Sequence, residues 1–527
     1  MLDVLIRNGT VVDGTGEPAF KADVGVAKGH IAVVAKPVEQ ETVRTIDAQG
    51  LHVAPGFIDP HTHSDLPLLV DPRAESKIRQ GVTTEVIGNC GFSPAPLSGA
   101  AVEETRARAG NYGLNVTWRS MSEYLARLRN PGTALNVVPL VGHNTVRGSV
   151  LGYDDVQPAP EQQAEMERLV VEAMDQGARG LSTGLYYPPG YYTQIEEVVG
   201  LARAAARRGG IYATHIRSES DKALEAVAEA VEIGERAHIR VEIAHLKLSG
   251  YRNWDKVDQL VALLEEGQAR GVRLGCDQYP YRASSTWLAA LLPYWAQTGG
   301  SKGIAERLRD PQVRAQLRQD WQEHRAEWED RGGVRDWSDI VISDCQDRPE
   351  VLGKSIAQVA EMDGKDPLET VFDLIVFSGG RVACVWFGQL EENVHILMRH
   401  PLVVVGSDGS SLSPHGVLGR RKVHPRSYGT FPRVLGRYAR EEQVLSLEEA
   451  VKKMTSVTAE RFGLTGRGVV REGAWADLVL FEAQTVSDAA TFTEPHQYPV
   501  GIPYVIVNGQ VVVDRGEHTG VLAGQVL

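Results

Sequence analysis

Apolar residues recur at three- and four-residue spacing in "PEQQAEMERLVVEAMDQ" (160–176), "DKALEAVAEAVEIGERA" (221–237) and "DKVDQLVALLEEGQAR" (255–270). That period buries one face of a helix. Between such segments lie short apolar runs near 53–61, 82–90, 135–142, 178–184, 210–216, 239–246, 272–279 and 401–408, which read as strands buried on both faces. Strands alternating with helices predict an α/β fold, specifically a (β/α)8 TIM-like barrel. A doubly wound open sheet is the alternative.

The two ends of the chain follow a different pattern. Residues 1–52 carry "DVLIRNGTVVDG" and "ADVGVAKGHIAVVA", and residues 466–527 carry "PYVIVNGQVVVDRG". Val-rich runs punctuated by Asn-Gly and Lys-Gly predict hairpins, so a small β-sandwich assembled from both termini is expected beside a barrel spanning 53–465. The stretch from Tyr279 to Leu402 is too long for one crossover and contains a polar, helix-like segment at 307–330. It predicts an inserted subdomain at about 287–400, before the last strand.

Composition narrows the class. At 527 residues the chain exceeds the roughly 250–300 at which a single core stops growing. No apolar run approaches the ~18–20 residues of a membrane span, and the amino terminus lacks the pattern of a signal peptide. The four cysteines, Cys90, Cys276, Cys345 and Cys384, are too scattered for a disulfide framework, which fits a reducing cytoplasm. A net charge of −13 opposes nonspecific binding to nucleic acid or anionic membrane. A small-molecule substrate is the expected partner; oligomeric state is not legible.

Candidate chemistry gathers at the strand ends. The first run ends in "VAPGFIDPHTHSD", with His61 and His63 on one side of an extended chain. The second ends in Cys90, "GGIYATHIRSES" leads to His215, "IRVEIAHLKLSG" to His245, and "HPLVVVGSDGSS" to Asp408. All carboxyl ends of barrel strands open on one face, so these residues would converge there, and nitrogen, thiolate and carboxylate donors suit zinc. Each also has an ordinary reading: Cys90 as a small buried side chain, His245 as a core histidine, Asp408 as a turn residue before Gly409. Their common register favours the metal site. His143, near the third strand, and His238, His395, His400, His415, His424 and His496 are left outside it. The "GLSTG" at 180–184 matches a nucleophile elbow, but Pro188 and Pro189 forbid the helix that Ser182 would need behind it. The aromatic "LYYPPGYY" is better read as a substrate wall.

The chain resembles the amidohydrolase superfamily and, within it, the N-acyl-D-amino-acid deacylases (D-aminoacylases). The motifs "VAPGFIDPHTHSD", "GNCGFSPAP", "STGLYYPPG", "ATHIRSES", "AHLKLSG", "QYPYRASST" and "HPRSYGTFPRVLGRYARE" carry the likeness over nearly the whole length. The resemblance implies a zinc ion held tightly by Cys90, His215 and His245. It also implies a second, weaker or vacant position at His61 and His63 that Cys90 is able to bridge, and Asp408 as the catalytic carboxylate. Lys247, Tyr279 and Arg426 are implied partners of the substrate carboxylate, with Tyr192 and Ser285 as further substrate contacts. The longer segment "GSSLSPHGVLGRRKV" before "HPR" makes Arg420 and Arg421 competitors of Arg426. The expected reaction is zinc-dependent hydrolysis of N-acyl-D-amino acids to a carboxylate and a free D-amino acid. A D-dipeptide or cyclic-amide hydrolase of the hydantoinase or dihydroorotase type is the rival, and a non-catalytic zinc scaffold a more distant one. The apolar "RASSTWLAALLPYW" (282–295) predicts a preference for apolar side chains, with Arg282 as the residue that would favour acidic ones.

Overall fold

The protein is described by a computed structural model covering residues 1–323 and 335–527. Eight parallel strand segments follow one another around the central sheet: Phe57–Asp59, Val82–Ile87, Asn136–Pro139 continuing as Val141–Gly142, Gly180–Gly184, Ile211–His215, Arg240–Ile243, Leu274–Gln278 and Val403–Val405. The first three pair in order, and the third, through Val141, pairs with the fourth and so on to the eighth. Closure comes where the eighth strand meets the first. Asp408 N donates to His61 O at 2.9 Å and His63 N to Gly409 O at 2.8 Å. An open doubly wound sheet has no such seam, so the barrel reading holds.

The helices follow from their periodicity. Ala223–Ala237 buries Ala223, Ala226, Val227, Ala230, Val231, Gly234 and Ala237, the stripe the sequence pattern marked. Gly234 lets this helix sit close on its sheet, since a Cβ there would meet Val241 Cγ2 at 2.4 Å. The 53–61 run divides in two. His52–Pro55 pairs with Leu478–Phe481 in the terminal sheet, and only Phe57–Asp59 enters the barrel. Gly56 separates them, where any Cβ would strike Thr83 at 2.2 Å.

Strands from both termini join one nine-stranded sheet that branches at Leu2–Val11. That strand pairs with Thr42–Asp47 through its first half and with His52–Pro55 beyond a bulge after Ile6. Val4, Ile6, Val24, Leu478 and Ile506 share its core. Between the seventh and eighth barrel strands the chain forms an antiparallel sheet of Ser284–Trp287, Ala383–Trp386 and Ile340–Asp344. Its separate core includes Leu288, Leu292, Ile342, Val371 and Phe372. Where described, the polar segment at 307–330 is the helix Pro311–Glu323, preceded by the helix Gly300–Arg307; residues 324–330 lie outside the described residues. Among the described residues no helix is long and apolar enough to cross a membrane.

Candidate metal centre and active site

The strand ends converge as the common register predicts. His61 Nε2 lies 3.2 Å from Cys90 Sγ, and His215 Nδ1 and His245 Nε2 face the same sulfur at 3.7 and 3.6 Å. The same His61 Nε2 lies 3.6 Å from Asp408 Oδ1, which is 3.0 Å from His63 Nε2. One donor group is therefore built on Cys90 and a second on Asp408, with His61 between them. Cys90, His245 and Asp408 all have left-handed backbone, with φ of 52°, 35° and 49°, and each lies just past a strand end. That turn sends the side chain over the barrel mouth instead of along its wall.

The Cys90 loop is held from the fourth strand. Ser182 Oγ donates to Gly88 O and accepts from Gly91 N at 3.1 Å, so Ser182 is a brace and not a nucleophile. Gly184 is required beside it, because a Cβ would meet Cys90 O at 2.1 Å. Below His61, the fully buried Lys77 ammonium pairs with Asp59 Oδ2 at 2.6 Å and Glu85 Oε1 at 3.4 Å. Asp59 Oδ1 accepts from Ser407 N at 2.9 Å and from His61 N at 3.3 Å. This buried network pins the seam that carries His61 and Asp408.

Electrostatics favour the ligand forms of Cys90, Asp408 and His215. At His61, His63 and His245, by contrast, burial is outweighed by the neighbouring thiolate and carboxylates, which raise the imidazoles above their usual value. Burial works against ionising Cys90, but His61 and hydrogen bonds with His215 and His245 outweigh it, holding the thiol well below its ordinary value. The thiolate is the form that binds metal. Burial also opposes the Asp408 charge, and Arg426, His245 and His63 reverse that effect. Arg426 Nη1 sits 2.8 Å from Asp408 Oδ2. Imidazoles gathered about one thiolate fit zinc, and the donor atoms of His61, Cys90 and His245 all lie within 4.8 Å of one another, with a nearby carboxylate left for proton transfer.

Other predicted residues divide. Lys247 Nζ lies 2.9 Å from His245 Nδ1 and 5.4 Å from the centre of the Tyr279 ring; Arg426 Cζ lies 4.9 Å from that centre. Lys247, Tyr279 and Arg426 thus form one cationic-aromatic wall, and Gln389 fixes the Tyr279 hydroxyl at 3.0 Å. Arg421 is engaged elsewhere, with Asp344 at 2.8 Å, and Arg420 is exposed. His424 orients Arg426 by accepting its backbone N–H at 3.0 Å.

Tyr192 is not brought to the cluster. It belongs to the single turn Gly190–Tyr192, which directs it to a cavity lined by Gln157, Arg217 and Glu229. The aromatic loop instead presents Tyr186 and Tyr187, whose rings lie 5.3 and 5.0 Å from His215. Tyr187 bonds Thr286 at 3.0 Å, while Ser285, next along that strand, is half-buried. The apolar 288–292 run does not line the site either, since Leu288, Leu291 and Leu292 enter the core of the insertion. Arg282 is exposed, 5.8 Å over Phe387. His143 is occupied away from the cluster by Glu197 at 2.8 Å.

Two acidic residues at the site escaped the sequence reading. Asp277 Oδ2 is 3.3 Å from His61 Nδ1, and its Oδ1 accepts from His245 N at 2.9 Å. Glu219 Oε1 is 2.8 Å from His245 Nδ1 and 3.8 Å from His215 Nε2, and pairs with Lys247.

Residues 44–513 match the amidohydrolase family. The chain belongs to that family. Within it, the D-aminoacylase of Alcaligenes xylosoxydans xylosoxydans is 37% identical over 100% of this chain and 97% of its own. The N-acyl-D-glutamate deacylase of the same organism is 36% identical over 97% and 93%. A crystal structure of the N-acyl-D-glutamate deacylase from Bordetella bronchiseptica contains zinc and a phosphonate inhibitor, a mimic of the reaction's tetrahedral intermediate. It matches with a TM-score of 0.83 at 34% identity, covering 100% of this chain and 99% of that one. This amidohydrolase is thus similar along its full length to deacylases of N-acyl-D-amino acids.

Proposed function

We propose that this amidohydrolase is a zinc-dependent deacylase that cleaves the amide of N-acyl-D-amino acids, releasing a carboxylate and a free D-amino acid. The observation that carries the reading is the meeting of Cys90, His215 and His245 beside an Asp408 that is paired to Arg426. Cys90, His215 and His245 would hold a zinc ion, which would supply Lewis acidity and lower the pKa of a water at the site; His61 and His63 would hold a second, weaker ion. The similarity to a zinc-containing deacylase supports the choice of metal.

The chain's own residues supply the rest. Asp408 accepts a proton from the attacking water and returns it to the departing nitrogen, acting as base and then acid. Arg426 and Lys247, over the Tyr279 ring, hold the substrate's α-carboxylate, for which the planar guanidinium offers two parallel donors. In the free enzyme Arg426 is paired with Asp408, so a bound carboxylate competes for it and loosens Asp408 for proton transfer. Tyr187, beside His215, and Ser285 are placed on the acyl or side-chain walls. Fixing the amide, the carboxylate and the side chain at three points lets the site read handedness.

Four unpaired, buried cysteines support a reducing cytoplasmic setting. The test is release of free amine from N-acetyl-D-methionine and N-acetyl-L-methionine, with and without a chelator. The proposal expects D-selective, chelator-sensitive turnover restored by zinc. Turnover that survives complete metal removal would refute it.

A further inference from the structure

We propose that Glu219 is a positioning residue that fixes which nitrogen each histidine ligand presents to the metal and links that metal to the substrate-carboxylate site through Lys247. The inference rests on the zinc site proposed above. An imidazole offers a lone pair from one nitrogen only when the other carries the proton, and the group bonded to that N–H selects the tautomer. His215 and His245 solve this in opposite senses, turning Nδ1 and Nε2 respectively toward Cys90. Their remaining nitrogens both face one atom, Glu219 Oε1, at 3.8 and 2.8 Å. The shorter contact is within hydrogen-bonding distance, and the longer one is beyond it and orients by charge. Lys247 Nζ also lies 2.9 Å from His245 Nδ1; an ammonium can only donate, so in the metal-binding tautomer both it and the Nδ1–H turn to Glu219. Among the described residues no other carboxylate lies within 4.0 Å of these ring nitrogens. Asp277 serves the neighbouring His61 instead.

The same oxygen pairs with Lys247, so one carboxylate touches a metal ligand and a cation of the proposed substrate wall. Its own position is built into the fold. Ser218 Oγ accepts from Ser220 N and Lys222 N, both at 3.3 Å. Ser249 N donates to Glu219 O at 2.7 Å, tying the loop after the fifth strand to the loop after the sixth. Removing the Glu219 charge therefore acts on metal and substrate together.

The experiment uses the full chain as Glu219→Gln and Glu219→Ala, stripped of metal and refilled with zinc. Chelator competition reads zinc affinity, and kcat and KM are measured at saturating zinc. Both variants are expected to lose about 10–100-fold in zinc affinity, Ala more than Gln because the amide oxygen still accepts the His245 N–H. KM should rise more than kcat falls, as Lys247 loses its anchor, and thermal unfolding of the metal-free proteins should stay near the parent's. Asp221→Asn, in the same loop but bonded to Arg252 and Asn253, should keep the parental affinity. Should Ala fail to fold, the isosteric Gln decides alone. Parental zinc affinity and an unchanged KM in Glu219→Gln overturn the inference while leaving the deacylase reading intact. A parent that binds no zinc and hydrolyses no N-acyl-D-amino acid overturns both.

Discussion

Asp408→Asn separates proton transfer from metal binding and substrate binding. The amide matches the carboxylate in shape, so its oxygen can still face Arg426, now at 2.8 Å from Oδ2. What is lost is the group that takes and returns a proton, which contributes about 10²–10⁴-fold to rate, or roughly 3–5 kcal/mol of barrier. Both members of the pair are buried, Asp408 at 8% and Arg426 at 5% exposure. Removing one charge from a buried pair costs up to about 3–5 kcal/mol of stability, so folding must be checked by thermal unfolding. Substrate binding should not suffer, because Asp408 no longer competes with the substrate carboxylate for Arg426. The expected signature is kcat reduced by about 10²–10⁴-fold, KM unchanged or lower, and zinc retained at Cys90, His215 and His245. Steady-state kinetics with N-acetyl-D-leucine and metal analysis of the same preparation read all three. A folded, zinc-loaded Asp408→Asn with kcat within about tenfold of the parent would remove Asp408 from the proton path, since that is less than the general acid–base range.

Three further outcomes are expected. Cys90→Ser replaces a thiolate with a hard, protonated donor, so zinc content and activity should fall together, whereas Ser at Cys276, Cys345 or Cys384 should leave metal content unchanged. In metal-stripped protein, Cys90 should react with iodoacetamide at pH 7, while Cys384, pushed up to about 12 by burial, stays inert; mass spectrometry of the labelled peptides reads both. Because the folded Cys90 thiol is depressed, its linked stability is present at and above the ordinary thiol range and is lost as pH falls through the lowered value. Equal labelling of both cysteines at pH 7 would contradict this electrostatic account. N-acetyl-D-leucine should exceed N-acetyl-D-glutamate in kcat/KM, since the cations at the cluster already face carboxylates and an acidic side chain would enter at a desolvation cost. Faster D-glutamate turnover would require a cation the present geometry does not assign, and faster L-leucine turnover would overturn the handedness.

The sequence made the barrel and most of the cluster legible because both rest on periodicity. Parallel strands read as apolar runs, and their carboxyl ends all open on one face, so His61, Cys90, His215, His245 and Asp408 could be grouped without knowing a distance. Asp277 follows the same logic, near the end of Leu274–Gln278, but the aromatic "QYPY" beside it dominates the pattern there. Glu219 offered no such signal: it sits in a loop, where direction is set by Ser218 and Ser249 and not by a repeat. The same limit explains Tyr192. Several tyrosines crowd one irregular loop, and only its turns decide that Tyr186 and Tyr187 face His215. The apolar 288–292 run misled for a different reason. Composition marks burial but not which core does the burying, and here the insertion has a core of its own.

The left-handed backbone of Cys90, His245 and Asp408 bears on how this protein tolerates mutation. Each such conformation costs a side-chain-bearing residue about 1–3 kcal/mol, and glycine is largely exempt. Glycine would relieve that strain, but at position 408 it would leave Arg426 buried without its partner, at up to about 3–5 kcal/mol. At positions 90 and 245 it would leave a cavity among buried neighbours. A library screened only for folding should therefore not converge on glycine there. The strained backbone is thus the part of these three sites that works against stability, offset by packing and charge and retained where the side chain faces the donor cluster.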